Sequence, residues 1–135
     1  MRRQSGQALL ELALCAPVVM LLSLGVASVV QLQDAAAGLD AATQAALEVA
    51  SRAPDPRSAD SAAHTRFADV VSAYPLRAAV LRISFGDFSR DTDVRATSEA
   101  LVDVGWAGLV LPGQFRIRSQ GAVHLEQWRT HRAAP

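Results

Sequence analysis

Lysine is missing from this chain: all 13 of its bases are arginine, balanced by 13 acids. A net charge of zero offers no basic excess, which excludes nucleic acid as an expected partner. One cysteine, Cys15, rules out an intrachain disulfide. Aromatic residues make up only 5% of the chain, so any core is built mainly from alanine and aliphatic side chains. The three histidines (His64, His124 and His131) lack metal-ligand spacing, and no glycine-rich phosphate loop is present. No nucleophile elbow picks out one serine among many. Asp87, Asp91 and Asp93 resemble a calcium loop only superficially, because its glycine and distal glutamate are missing. No catalytic set, metal site or cofactor is expected; the chain reads as a non-enzyme.

Charge is also missing from one long stretch. Leu12 to Val30 carries no ionised side chain, and it is long enough to cross a hydrocarbon core, which takes about 20 mostly apolar residues. A secretory signal has a shorter apolar region, roughly 7–15 residues. Arg2 and Arg3 precede the run, and no further base occurs before Arg52. That asymmetry puts the N-terminus in the cytoplasm and the remainder outside it. Pro17 is tolerable in a membrane helix and predicts a kink. Ser23, Gly25, Ala27 and Ser28 offer small side chains for close helix approach. Leu12-Ala13-Leu14-Cys15 is a poor lipidation box, since the apolar stretch extends well past Cys15 and the preceding residue is large.

Glu11 is the odd residue. An ionisable group at the edge of a membrane segment is a functional candidate in need of a partner. Gln7 lies four residues earlier, about 6 Å along the same helix face. A cut between Gly6 and Gln7 creates a new α-amino group on Gln7, beside Glu11 or within reach of the Glu11 of a neighbouring copy. The plain alternative is a carboxylate favoured by the helix N-terminus.

With its basic leader, Gly6-Gln7-Ala8-Leu9-Leu10-Glu11-Leu12-Ala13-Leu14 resembles the N-terminus of TadE-like pseudopilins, minor pilins of tight-adherence (Flp, type IVc) pilus systems. The resemblance implies cleavage after Gly6 by a prepilin peptidase, with Glu11 as the fifth residue of the mature chain. It also implies a single pass of the inner membrane, a C-terminal domain outside the cytoplasm, and packing of the N-terminal helix with other pilins and minor pseudopilins. The implied partners are these subunits, the peptidase, the inner-membrane assembly platform and membrane lipid. TadE and TadF types are not separable by these residues; the short length argues against the large TadG type. Two alternatives stand beside it: an exported soluble protein cut near Ala37 after Ala35-Ala36-Ala37, and a plain single-span anchor carrying an interaction domain.

Beyond the apolar run, about 100 residues remain, enough for one small domain. From Gln31 to Arg52 alanine dominates and proline is absent. Gln33, Asp34, Asp40, Gln44, Glu48 and Arg52 fall in one polar arc, opposite Leu32, Ala35, Leu39, Ala42, Ala46, Val49 and Ala50. The helix therefore continues out of the membrane and ends at Ala53-Pro54-Asp55-Pro56. A second helix is expected over about residues 59–73, with Ala63, Phe67, Val70 and Tyr74 at helical spacing and His64 four residues after Asp60.

The period then changes. Ala79, Leu81, Ile83 and Phe85 alternate with Val80, Arg82 and Ser84, and Ala100, Val102, Val104 and Trp106 alternate with Glu99, Leu101, Asp103 and Gly105. Residues 86–93 read as a polar connection and Leu111-Pro112-Gly113-Gln114 as a turn. Phe115, Ile117, Val123 and Leu125 form a third alternating set, broken at Ser119-Gln120-Gly121, which predicts a bulge. The expected fold is α+β: a long N-terminal helix, transmembrane then amphipathic, a second short helix, and a small antiparallel sheet of about three strands. The expected organisation is a cleaved leader at 1–6, a transmembrane helix at 7–30 and an amphipathic extension at 31–52. An extracytoplasmic pilin-like α+β domain follows at 53–128, with a flexible tail at 129–135.

Overall fold

The computed structural model describes residues 2–86, 92–104 and 114–125, with side chains from residue 6 onward. Asp87, Asp91, Trp106, residues 111–113, Trp128 and His131 lie outside the described residues, and with them part of the acidic trio, the expected turn and the tail. The order of elements is α1 (Arg2–Arg52), α2 (Pro56–Val71), β1 (Leu76–Ser84), β2 (Asp93–Asp103) and β3 (Gln114–His124). This is an α+β arrangement.

Helix α1 is 51 residues long, about 75 Å at the rise of an α-helix. Alanine and leucine favour helix throughout, and the helix continues through Pro17 without a break in assignment. Residues 2–6 belong to it as well, so the expected leader is not set apart from the helix that follows. Ser23 donates to the Val19 carbonyl at 2.8 Å and Ser28 to the Leu24 carbonyl at 3.1 Å. Both hydroxyls are thereby satisfied within the helix, as an apolar medium demands. The small residues do not form one patch: at 100° per residue Ser23 pairs with Ala27, while Gly25 and Ser28 share a different side.

Burial begins at the far end of α1. Ala35, Leu39, Ala42, Ala46 and Ala50 are fully buried or nearly so, with Leu47 and Thr43 beside them. This stripe follows the expected apolar side and lies over β2 and β3. Alanine at four of these positions brings the helix backbone close to the sheet. At Gly121 the approach is so close that a Cβ would meet Leu47 Cδ1 at 2.6 Å and Gln44 Nε2 at 3.1 Å. The ring of Tyr74 fills the equivalent space over Gly38.

Helix α2 packs beside α1 and reaches β1, burying Ala59, Ala63 and Phe67. It starts three residues earlier than expected because Pro56 is its first residue and not part of the break. Proline's fixed φ and absent N–H suit that position. Asp55 caps the helix, accepting from the backbone N–H of Arg57 and Ser58 at 3.0 Å each. These bonds hold the Asp55 carboxyl below its ordinary range, the Ser58 backbone bond foremost.

The three strands form an antiparallel sheet in the order β1-β2-β3. Strand β2 begins at Asp93, so the expected connection gives up its last residue to the sheet. The expected bulge in β3 is absent: β2 and β3 keep one register from Asp93↔His124 to Asp103↔Gln114. Ser119 and Gly121 stay on the inward face, with glycine there for the approach of α1. The irregularity lies in β1 instead, between Arg77 and Val80, where Ala78 adopts φ 48. It switches the parity of the strand, so that Leu76 and Leu81 both face the helices.

Candidate functional site

Two regions of the surface bear on function. The first is the exposed N-terminal part of α1. From Gly6 to Val30 every described side chain except that of Ser28 is exposed, among them Leu9, Leu12, Met20 and Val26. Gly6–Arg52 is the one described helix long and apolar enough to cross a membrane, and none of its most apolar window is buried against the rest of the chain. That exposure excludes the role of a core helix within this chain.

The predicted residues fall together here. Gln7 Nε2 lies 3.5 Å from Glu11 Oε1, at the long limit of a hydrogen bond. No other described side chain reaches Glu11. A Cβ at Gly6 would meet nothing within 4 Å, so the glycine is not required by packing inside the chain. It is also the poorest helix former in this stretch. Cys15 is exposed on the same apolar segment.

The second region is the outer face of the sheet, which sequence reasoning missed because alternation was read only for its apolar half. Arg77, Arg82, Arg95, Arg116 and Arg118 project from it beside Asp93, Glu99 and Asp103. Arg118 on β3 contacts Glu99 on β2 through Nε at 2.9 Å and through its terminal nitrogen. That hydrogen bond, then the charges of Arg118, Arg116 and Arg82, hold the Glu99 carboxyl below its ordinary range. Asp93 is likewise held down, first by its hydrogen bond to His124 Nδ1 at 2.9 Å. Arg77 meets Asp103 at 3.5 Å and Arg95 meets Asp93 at 3.8 Å. Among the described residues Arg82 and Arg116 make no ion pair. They flank Glu99 on opposite strands, and Arg82 lines a depression of about 520 Å³ together with Val80, Thr97, Glu99, Arg118 and Gln120.

The exposed charges of the two helices have the opposite balance and are spread around both of them. Asp34, Asp40, Glu48, Asp55, Asp60 and Asp69 stand against Arg52, Arg57 and Arg66. Glu48 pairs with Arg52 at 2.5 Å, and Asp60 faces His64 at 3.6 Å. Asp34, Asp40 and Asp69 have no ion-pair partner among the described residues.

Between the layers, Thr43 and Ser98 are fully buried with their hydroxyl oxygens 2.6 Å apart. Thr43 donates to the Leu39 carbonyl at 2.8 Å, so the proton between the two hydroxyls comes from Ser98. This pair joins α1 to β2 and is a structural contact. Among the described residues no group of three or more potential metal ligands is found. Comparison with protein-family models, curated proteins and solved structures returns no match.

Proposed function

We propose that this chain is a non-catalytic, TadE-like minor pseudopilin, inserted in the inner membrane with its N-terminus in the cytoplasm and processed by a prepilin peptidase after Gly6. Its mature helix packs with other pilins to support assembly of a tight-adherence pilus. The observation that carries this reading is the juxtaposition of Gln7 and Glu11 on the exposed apolar part of α1, directly after a glycine that packing does not require. The bond to be cut lies inside α1, and Gly6 lowers the cost of opening the helix for a peptidase. Cleavage adds a cationic amine on Gln7 beside its side-chain amide, the stronger partner for the Glu11 carboxylate in a poorly solvated setting.

The mature N-terminus tests the reading. Mass spectrometry of the chain purified from membranes of its native host is expected to show Gln7 first, and Gly6→Val is expected to leave full-length precursor. A chain beginning at Gly38 would establish the secreted alternative, and one beginning at Met1 the plain anchor.

A further inference from the structure

We propose that the outer face of the sheet binds an acidic oligosaccharide, taking a sugar carboxylate between Arg82 and Arg95 in the depression over Thr97. The site is a product of register. Arg82, Thr97 and Gln120 lie abreast on β1, β2 and β3, with Ser84 and Arg95 in the next row of the same face and Val80, Glu99 and Arg118 in the row before. Arg82 and Arg95 are therefore diagonal neighbours, about 7–8 Å apart, a gap that two long guanidinium side chains close onto one anion. Ser84 and Thr97 are short, which leaves the depression of about 520 Å³ between Arg82, Arg95 and Arg118. That volume lies in the range of small-ligand sites.

Three guanidinium groups and one carboxylate line the depression. Glu99 and Arg118 hold each other, so Arg82 and Arg95 set the sign of the site. Asp93, 3.8 Å from Arg95, is hydrogen-bonded to His124 and is not part of the lining. The side chains of Arg95 and Arg118 are 73% and 60% exposed, and Val80 is 52% exposed. A ligand therefore reaches them without any rearrangement of the core.

The neighbouring side chains choose among anions. A guanidinium presents paired donors that match the two oxygens of a carboxylate. Ser84, Thr97 and Gln120 add neutral donors and acceptors suited to hydroxyl groups. Both bonds from Arg118 go to Glu99 Oε1, leaving Oε2 to accept from a sugar hydroxyl. The same oxygen repels the phosphodiester backbone of DNA, which has no such proton to give. No aromatic side chain stands among the described residues of this face, so bases find no platform on which to stack. Val80 offers an apolar contact to the C–H side of a sugar ring. A second depression of about 240 Å³ shares Val80 and Glu99 with the first and extends to Leu101 and Arg116. It has room for the next sugar and a base for its carboxylate, which favours a chain of sugar acids over a single one.

The site does not depend on how the N-terminus is processed, and its failure leaves the pseudopilin reading untouched. Isothermal titration of the full chain in neutral detergent micelles with tetragalacturonate is expected to show saturable binding. Maltotetraose, a neutral chain of the same length, is expected to show none. Arg82→Gln with Arg95→Gln is expected to weaken binding about tenfold or more, as loss of a charge-assisted hydrogen bond does. Both arginines are exposed, so their replacement is expected to leave the circular dichroism spectrum unchanged. Arg57→Gln with Arg66→Gln removes the same charge from the exposed surface of α2 and is expected to leave binding as it was. Thr97→Gln fills the depression at constant charge and is expected to weaken binding as well. Absence of tetragalacturonate binding overturns the proposal, as does equal weakening by the α2 pair, which would reduce the effect to net charge. Equal or tighter binding of inorganic phosphate or of an oligothymidylate would assign the face to phosphate groups. Capture by phosphatidylglycerol vesicles with no binding of tetragalacturonate would assign it to lipid, and either outcome overturns the proposal too.

Discussion

At the scale of single residues, the buried contacts are made by side chains whose importance depends on what lies across the gap. Thr43 sits in an alanine-rich stretch and reads as one more small helix residue until Ser98 is placed 2.6 Å away. Gly121 reads as a strand breaker because a glycine in a strand has two meanings, a bulge or a close approach; only the position of Leu47 decides between them. Gln7 and Glu11 were legible in advance, since four residues on one helix need no tertiary information. The hydroxyl pair leads to a prediction. Thr43→Val keeps the shape but strands the Ser98 hydroxyl in the core, a cost of about 1–3 kcal/mol. Ser98→Ala leaves Thr43 bonded to Leu39 and is expected to cost less, about 0.5–1.5 kcal/mol. The double variant should cost less than the two together, because no buried donor is then left alone. Urea unfolding of the four chains measures this coupling; additive costs would show that the two hydroxyls do not depend on each other.

Elements were easier to read than their edges. Long helical spacing gave α1 and its polar arc, and alternation gave part of the inward face of each strand, missing Leu76 in β1, Val94, Ala96 and Ser98 in β2, and Ser119 and Gly121 in β3. The boundaries shifted where one residue serves two roles. Pro56 both ends a break and opens a helix, and Asp93 belongs to a polar stretch yet pairs with His124 as the first residue of β2. The β1 irregularity had no local signal, since Ala78 is an ordinary residue forced to φ 48 by the need to turn both Leu76 and Leu81 inward. Alanine pays a steric penalty there that glycine avoids. Ala78→Gly is therefore expected to raise stability by up to about 1 kcal/mol, and Ala78→Val to lower it, since branching at Cβ worsens the clash. Thermal melts of the two variants check the order. If glycine were the less stable of the two, the bulge would not be strained at this residue.

For the whole molecule, one helix has two parts: its first is exposed and apolar, and its last 20 or so residues form the spine of a small domain. In the proposed pseudopilin, insertion and assembly draw on different residues and can be separated by substitution. Glu11 is the one charge within the apolar half, and holding it in lipid is unfavourable. Glu11→Gln removes that cost, so insertion is expected to be unchanged. Cleavage after Gly6 is also expected to proceed, because the amine that Glu11 would pair with exists only after the cut. If the pseudopilin reading holds, association with pilins and pilus formation are expected to fall sharply, while Glu11→Asp keeps part of both with a shorter reach. Topology is checked in the same strains after Cys15→Ala removes the exposed native thiol. New cysteines at Ser61 and Ser84, both exposed on the folded domain, should label only from outside the cytoplasm. Labelling from the cytoplasm would reverse the orientation drawn from Arg2 and Arg3. Pili assembled at the normal level by Glu11→Gln would instead return Glu11 to a residue that merely suits the positive end of its helix.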